Sequence, residues 1–254
     1  MNLSYLTLGA LHVPVFGLFA AIGLMAAMLL SQRTSRMVGL PPDRIWNAGL
    51  LAILAAFIVS RLLLVAEQPR AFLTAPLTIL ALPSLTYTGV WITCLLMFLY
   101  LRLRRLPVLT VLDAAAPCAA VVWLALALGH FAEGTAAGIP THLPWGITIP
   151  GDTMLGRVHP TQLYTAMAAL ALLAASPWLL ARRKHAGDTA AFALLFGGLA
   201  DFLIGMLRQP WETYGTSWLD PAQAAALLLV LGGGILLATP RPLVVSQIEP
   251  TPAT

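Results

Sequence analysis

Residues 108–129 read VLTVLDAAAPCAAVVWLALALG, and Asp113 is the one charged side chain among them. About 20 apolar residues in α-helix cross the ~30 Å hydrocarbon layer of a bilayer. The run is continuous and lacks alternation of apolar and polar positions, which favours a helix over a barrel strand. Six further runs of this kind flank it: Val13–Ser31, Ile45–Ala66, Leu77–Leu101, Pro160–Ala181, Thr189–Leu207 and Ala222–Thr239. The chain therefore reads as an all-α integral membrane protein with seven transmembrane helices. Residues 1–239 form one such domain, and 240–254 read as a disordered, proline-rich cytoplasmic tail. The longest connector is the outer loop 130–159, too short for a soluble domain. No Lys or Arg precedes Arg33, so the first run reads as a retained span, without the basic start of a cleaved signal peptide.

Composition agrees. Of 254 residues, 59% are hydrophobic and 9% charged, against roughly 25% charged in soluble domains. So little charge cannot cover a globule with a wettable surface. A soluble enzyme, a secreted disulfide scaffold and a disordered chain are thereby excluded. The sequence pI of about 9.5 does not indicate nucleic acid, because the basic residues are scattered and form no binding face. Cys94 and Cys118 each lie inside an apolar run without ligand spacing, so neither a disulfide framework nor a zinc site is expected.

The basic residues instead set orientation. Arg33, Arg36, Arg44, Arg102, Arg104, Arg105, Arg182, Arg183, Lys184 and Arg241 follow spans one, three, five and seven; Arg70, Arg157 and Arg208 lie on the opposite side. The positive-inside bias puts the first set in the cytoplasm, the N-terminus outside and the C-terminus inside. The polar residues left over then collect towards the outer leaflet. Arg61 lies deep in span two, Asp201 in span six, and His130 and Glu133 share a face at the end of span four. Ionisable groups in hydrocarbon are costly and mark pairing or ligand sites. Two or three arginines in a bundle open to lipid suit a phosphate-bearing headgroup. Arg61 paired with Glu67 or Asp201 as a structural ion pair remains the alternative. Asp113 reads as a helix N-cap. Trp211, Tyr214 and Trp218 read as an interfacial belt. Residues 153–164 read as a helix re-entering the membrane past Pro160.

The outer connector contains Pro140-Thr141-His142-Leu143-Pro144-Trp145-Gly146, and later Arg157-Val158-His159-Pro160-Thr161-Gln162-Leu163-Tyr164. This block resembles the signature of the prolipoprotein diacylglyceryl transferase family. Phe16-Gly17-Leu18, Gly39-Leu40-Pro41-Pro42-Asp43, Ser60-Arg61-Leu62, Asp113, Pro117 and Arg208-Gln209-Pro210 extend the resemblance over nearly all of residues 13–239. It implies seven spans with the N-terminus outside, in the bacterial inner membrane. It also implies transfer of diacylglycerol from phosphatidylglycerol to the lipobox cysteine of a prolipoprotein signal peptide, on the outer face, without metal or soluble cofactor. Several family positions differ here. Thr88 stands for a histidine, Ala127 for an arginine, His130 for Asn or Cys, Thr135 for a glutamate, and Gly197 for a tyrosine. Asp201 and Gly205 stand for an arginine and a glutamate. The expected site accordingly uses His130 and Glu133 as catalytic groups and Arg61, Arg157 and Arg208 as the phosphate clamp. His159, Gln162, Tyr164, Asp201 and Thr88 line it. A relative that binds lipid or a membrane partner without transfer is the alternative.

Overall fold

The computed structural model describes residues 5–8, 11–74, 86–148, 156–208 and 220–244. A short hairpin, β1 (Tyr5–Leu8) and β2 (Leu11–Pro14), leads into α1 (Val15–Met37). Then come α2 (Pro42–Glu67), α3 (Pro69–Thr74), α4 (Tyr87–Leu103) and α5 (Val108–Glu133). Two two-residue strands follow, β3 (Ile147–Thr148) and β4 (Arg157–Val158). Helices α6 (Thr161–Arg182), α7 (Asp188–Gly205) and α8 (Pro221–Ala238) complete the bundle.

Among the described residues six helices, α1, α2, α5, α6, α7 and α8, are long and apolar enough to cross a bilayer. Helix α4 is apolar but shorter, and residues 77–85 of the expected third span lie outside the described residues. So do the Trp211–Trp218 belt and residues 245–254. The helical architecture, with Leu18, Ile22, Met25 and Leu29 of α1 and Leu50, Leu54 and Phe57 of α2 all exposed, is consistent with an integral membrane protein. Those side chains need an apolar solvent. Span one starts at Val15, two residues later than its apolar run, because Pro14 is extended and ends the hairpin.

Helix α5 is the axis. It packs along α1 and α6 and touches α7, α8 packs on α7, and α2 pairs with α4 beside α1. Without a hydrophobic gradient between helix and lipid, close backbone approach supplies the packing. At the α7–α8 seam a Cβ on Gly198 would lie 2.7 Å from the Ala226 carbonyl oxygen, and one on Gly233 would lie 2.8 Å from that of Ala191. Small polar residues inside the spans satisfy themselves locally: Ser31, Ser35 and Ser176 donate to the carbonyls of Met28, Gln32 and Leu172.

Asp113 corrects one expectation. It lies in the second turn of α5, fully buried, and caps a different helix. Its carboxylate accepts the N–H groups of Gly187 (2.8 Å) and Ala190 (3.0 Å) at the start of α7, with Arg183 Nε 3.9 Å away. The spare N–H groups of a helix start need an acceptor, and the α6–α7 turn brings them to α5. Asp113→Ala should leave those donors and Arg183 unmatched. We expect a loss on the order of 3 kcal/mol, read as a lower melting temperature in detergent, with Asp113→Asn retaining part of the stability.

The chain after α8 turns back on the same end. Arg241 pairs with Asp188 at 2.8 Å, Ala186 N–H donates to the Pro242 carbonyl, and Val244 N–H to that of Lys184. Pro240–Val244, the described part of the tail, is thus held against the α6–α7 turn.

Candidate functional site

At the other end of the bundle, α5 stops in a left-handed Gly134 (φ 73°). Gly134 N–H donates to the Phe131 carbonyl, and Thr135 N–H to that of His130. This paired 5→2 and 6→1 bonding is the Schellman termination. It swings Thr135 back against the helix, so that its hydroxyl lies 2.9 Å from His130 Nδ1. The same hydroxyl reaches the His130 carbonyl oxygen at 3.5 Å. A hydroxyl that donates to the carbonyl accepts from Nδ1–H, which leaves Nε2 with its lone pair. The imidazole rests against Phe16, ring centres 4.6 Å apart and tilted by 44°. Glu133 Oε1 accepts the Phe16 N–H at 3.2 Å, capping the start of α1. The face shared by His130 and Glu133 is therefore the α5–α1 contact.

Beyond Gly134 three chain segments knit together by backbone bonds. Gly138 N–H donates to His159 O, His159 N–H to Ile139 O, and Ile139 N–H to Leu207 O, at 2.9, 3.0 and 2.9 Å. Thr141 N–H donates to Arg157 O at 2.8 Å, and β3 pairs antiparallel with β4. The helix expected from residue 153 therefore starts only at Thr161. Residues 156–160 are extended or turn, because the backbone of His159 is committed to Gly138 and Ile139 and the residue before a proline avoids the helical region. Residues 153–155 lie outside the described residues.

Gly138 sits where these segments meet. A Cβ there would come 2.5 Å from Leu207 O and 2.7 Å from His159 Cβ. Backbone cannot yield as a flexible side chain does, so Gly138→Ala should push the three segments apart. We expect about 1–3 kcal/mol of overpacking cost, visible as faster protease nicking of the 134–160 loop and a lower melting temperature.

The predicted lining residues mostly hold this cap together. Gln162, buried, donates its amide to the Thr135 carbonyl, and Thr161 Oγ1 donates to Ala136 O at 2.6 Å. Tyr164 accepts from Trp145 Nε1 at 2.9 Å, and its hydroxyl lies 3.3 Å from His159 Nδ1. Arg157 is exposed on β4.

For Asp201 one alternative falls away. Its partner is Arg208, not Arg61, at 2.9 Å, with the two side chains 27% and 28% exposed. Arg208 lies three residues past the end of α7, and the turn there, with Leu207 and Arg208 N–H donating to the Ile204 and Gly205 carbonyls, brings its guanidinium back to Asp201. The backbone bridge between Gly138 and Arg208 brings Arg208, with Asp201, to the loop that follows His130 and Glu133. His130, Glu133, Arg208 and Asp201 thus form one charged cluster, with Thr135 and Gln162 joined to it through the loop. Arg61 and Thr88 stand on α2 and α4. Arg61 has its guanidinium carbon 5.1 Å from the Phe57 ring centre, and Thr88 is exposed in the first turn of α4. Neither helix packs along α6 or α7.

An apolar cavity of about 370 Å³ opens between α5, α6, α7 and α8, lined by Ala119, Trp123, Leu172, Ala193 and Gly197, with Asp201 among its walls. Its hydrocarbon-like lining lies one helical turn from the charged cluster at Gly197. Among the described residues no three His, Cys, Asp or Glu side chains gather as metal ligands. Sequence reasoning missed Thr135 as the partner of His130. The signal was present in Gly134, which directly follows the apolar run and its His-Phe-Ala-Glu extension.

Residues 4–239 match the family model described as prolipoprotein diacylglyceryl transferase. A relative from Solidesulfovibrio magneticus named phosphatidylglycerol–prolipoprotein diacylglyceryl transferase is 30% identical, with 93% of each chain covered. Proteins of the same name from a Marinomonas species and from Pseudoalteromonas translucida are 26% and 28% identical. Each covers 91% of this chain and 90% of its own.

Proposed function

Because the chain belongs to the prolipoprotein diacylglyceryl transferase family, we propose that it transfers diacylglycerol from phosphatidylglycerol to the lipobox cysteine of a prolipoprotein. The observation that carries this reading, beyond the match itself, is the meeting of the His130–Thr135 pair with Arg208 where the loop after α5 bridges the residues that follow α7. The thiol gives its proton to His130 Nε2. The thiolate attacks the glycerol carbon that bears the phosphate ester. A C–S bond forms, the C–O bond breaks, and glycerol phosphate leaves. An ordinary thiol has a pKa near 8.5, so a base matters; such help contributes on the order of 10²–10⁴ in rate.

Arg208 is the cation for the departing phosphate, with Arg157 and Arg61 as further members of the clamp. The bond to Asp201 uses Arg208 NH2, and a guanidinium has five N–H donors in a fork. Phosphate and carboxylate then share one cation. At an effective dielectric of ~20 their mutual repulsion at 4 Å is about 4 kcal/mol, which the guanidinium between them offsets. The apolar cavity between α5 and α8 supports a lipid donor, since it offers one acyl chain a solvent like its own. The active face is extracytoplasmic in the bacterial inner membrane. The chain crosses seven times, and the arginine-rich end lies in the cytoplasm.

A second reading has a specific observation behind it: the Asp201–Arg208 pair neutralises the clamp internally, which fits a relative that binds lipid without transfer. Expression in a bacterium depleted of its own transferase tests both. Growth together with thioether-linked diacylglycerol on a reporter lipoprotein is the expected result. Absence of both, from protein that is membrane-inserted and retains phosphatidylglycerol, selects the second reading.

A further inference from the structure

The end of the molecule far from His130 carries a second polar cleft. It lies between the first turns of α2 and the last turn of α4, encloses about 210 Å³, and is lined by Arg44, Asn47, Tyr100, Arg104 and Leu106. Its floor is the buried apolar cluster of Ile45, Leu101, Leu106 and Val111, with Tyr100 packed against it. The Arg104 guanidinium carbon stands 5.6 Å from the centre of the Tyr100 ring, which holds that side chain at the rim. Arg44 approaches from the opposite helix. Among the described residues no carboxylate pairs with either arginine. The acids at this end are engaged elsewhere: Asp113 caps α7 and Asp188 holds Arg241. Asp43 precedes Arg44 by one residue and so projects about 100° away around the helix. Two cations from two helices therefore face one cleft with an amide between them, a donor set suited to a phosphoryl group.

The surroundings say where the phosphate comes from. Asn47, Leu50 and Leu54 follow one stripe of α2, and Leu96 lies one turn below Tyr100 on α4. Leu50, Leu54 and Leu96 are 49%, 54% and 43% exposed. An apolar strip thus runs from the cleft towards the middle of the bilayer, where acyl chains belong. Basic pockets between transmembrane helices bind anionic headgroups in this way.

We propose that the Arg44–Arg104 cleft binds the phosphate of an anionic phospholipid in the leaflet at the arginine-rich end, a lipid site separate from the His130–Arg208 cluster. Bound there, the lipid ties α4 to α2 at the arginine-rich end of the bundle.

The test uses the full-length protein in mild detergent, titrated with phosphatidylserine and followed by native mass spectrometry. Each interfacial arginine contributes about 1 kcal/mol to anionic lipid, so R44Q/R104Q should bind about 30-fold more weakly than wild type. R44K/R104K, which keeps both charges, should retain most of the binding. R33Q/R36Q, which removes equal charge from the same end outside the cleft, should behave as wild type. Melting curves in lipid-free detergent show that the variants are folded, as expected for changes at exposed side chains. Equal weakening in R44Q/R104Q and R33Q/R36Q would reduce the site to diffuse surface charge and overturn the proposal. Unchanged binding in R44Q/R104Q would do the same. Release of the lipid by millimolar inorganic phosphate would assign the cleft to free phosphate rather than lipid.

Discussion

Exchanging His130 for alanine is expected to lower the rate of diacylglyceryl transfer by about 10²–10⁴-fold, with little change in melting temperature. The imidazole is the group in the cluster that can take a proton near neutral pH and return it. Its geometry supports that use. Nδ1 lies 2.9 Å from the Thr135 hydroxyl, and in the tautomer where Nδ1–H donates to it the basic nitrogen is Nε2. Thr135→Val removes the hydroxyl and leaves the ring, so it should cost much less than His130→Ala, about tenfold, through loss of the fixed tautomer. Glu133 is less suited to be the sole base, because one of its oxygens already accepts the Phe16 N–H. The measurement is single-turnover transfer from phosphatidylglycerol to a lipobox peptide in detergent. His130→Ala with a wild-type rate would move the base to another residue.

The second large effect concerns Arg208. Arg208→Ala removes the cation nearest the proposed leaving group and leaves Asp201 facing it alone. Loss of one preorganised donor to a developing anion costs about 10²–10³ in rate, and here an uncompensated carboxylate adds to it. Asp201→Asn should act in the opposite sense. It releases Arg208 and removes a like charge, so the apparent KM for phosphatidylglycerol should fall while the rate at saturation changes little. The double variant Arg208→Ala with Asp201→Asn should recover part of the loss, because the repulsion disappears although the clamp does not return. If Asp201→Asn instead behaves like Arg208→Ala, the pair is a structural tie of the α7 end and not a clamp under tension.

How far the site was legible depends on distance along the chain. His130 and Glu133 are three residues apart, and helical periodicity alone puts them on one face. Asp201 and Arg208 are joined by the turn that ends α7, which helical periodicity does not show, and Arg61 stands in the sequence as one alternative partner because it too is a cation deep in a span. Membrane depth brings groups to one level but does not say which of them are neighbours around the bundle. Asp113 shows the same limit. Its position near a span start suggested a cap of its own helix, whereas its carboxylate reaches 74 residues along the chain to Gly187. The segment before Pro160 reads as helix by its flanks, but pairing with Gly138 and Ile139 draws it into extended form.

The amino-acid sequence alone determined which stretches are apolar helices, where basic residues gather and which family the chain resembles. These properties are local: apolarity per turn, charge at helix ends and the order of residues in one loop are complete before any helix meets another. Only the tertiary structure decided that Arg208 answers Asp201, that Asp113 caps α7, and that Thr135 and Phe16 hold the His130 ring. Each of those contacts depends on the spacing and rotation of packed helices. Those are set by small residues such as Gly198 and by backbone crossings such as that at Gly138, whose effect exists only once the partner is in place.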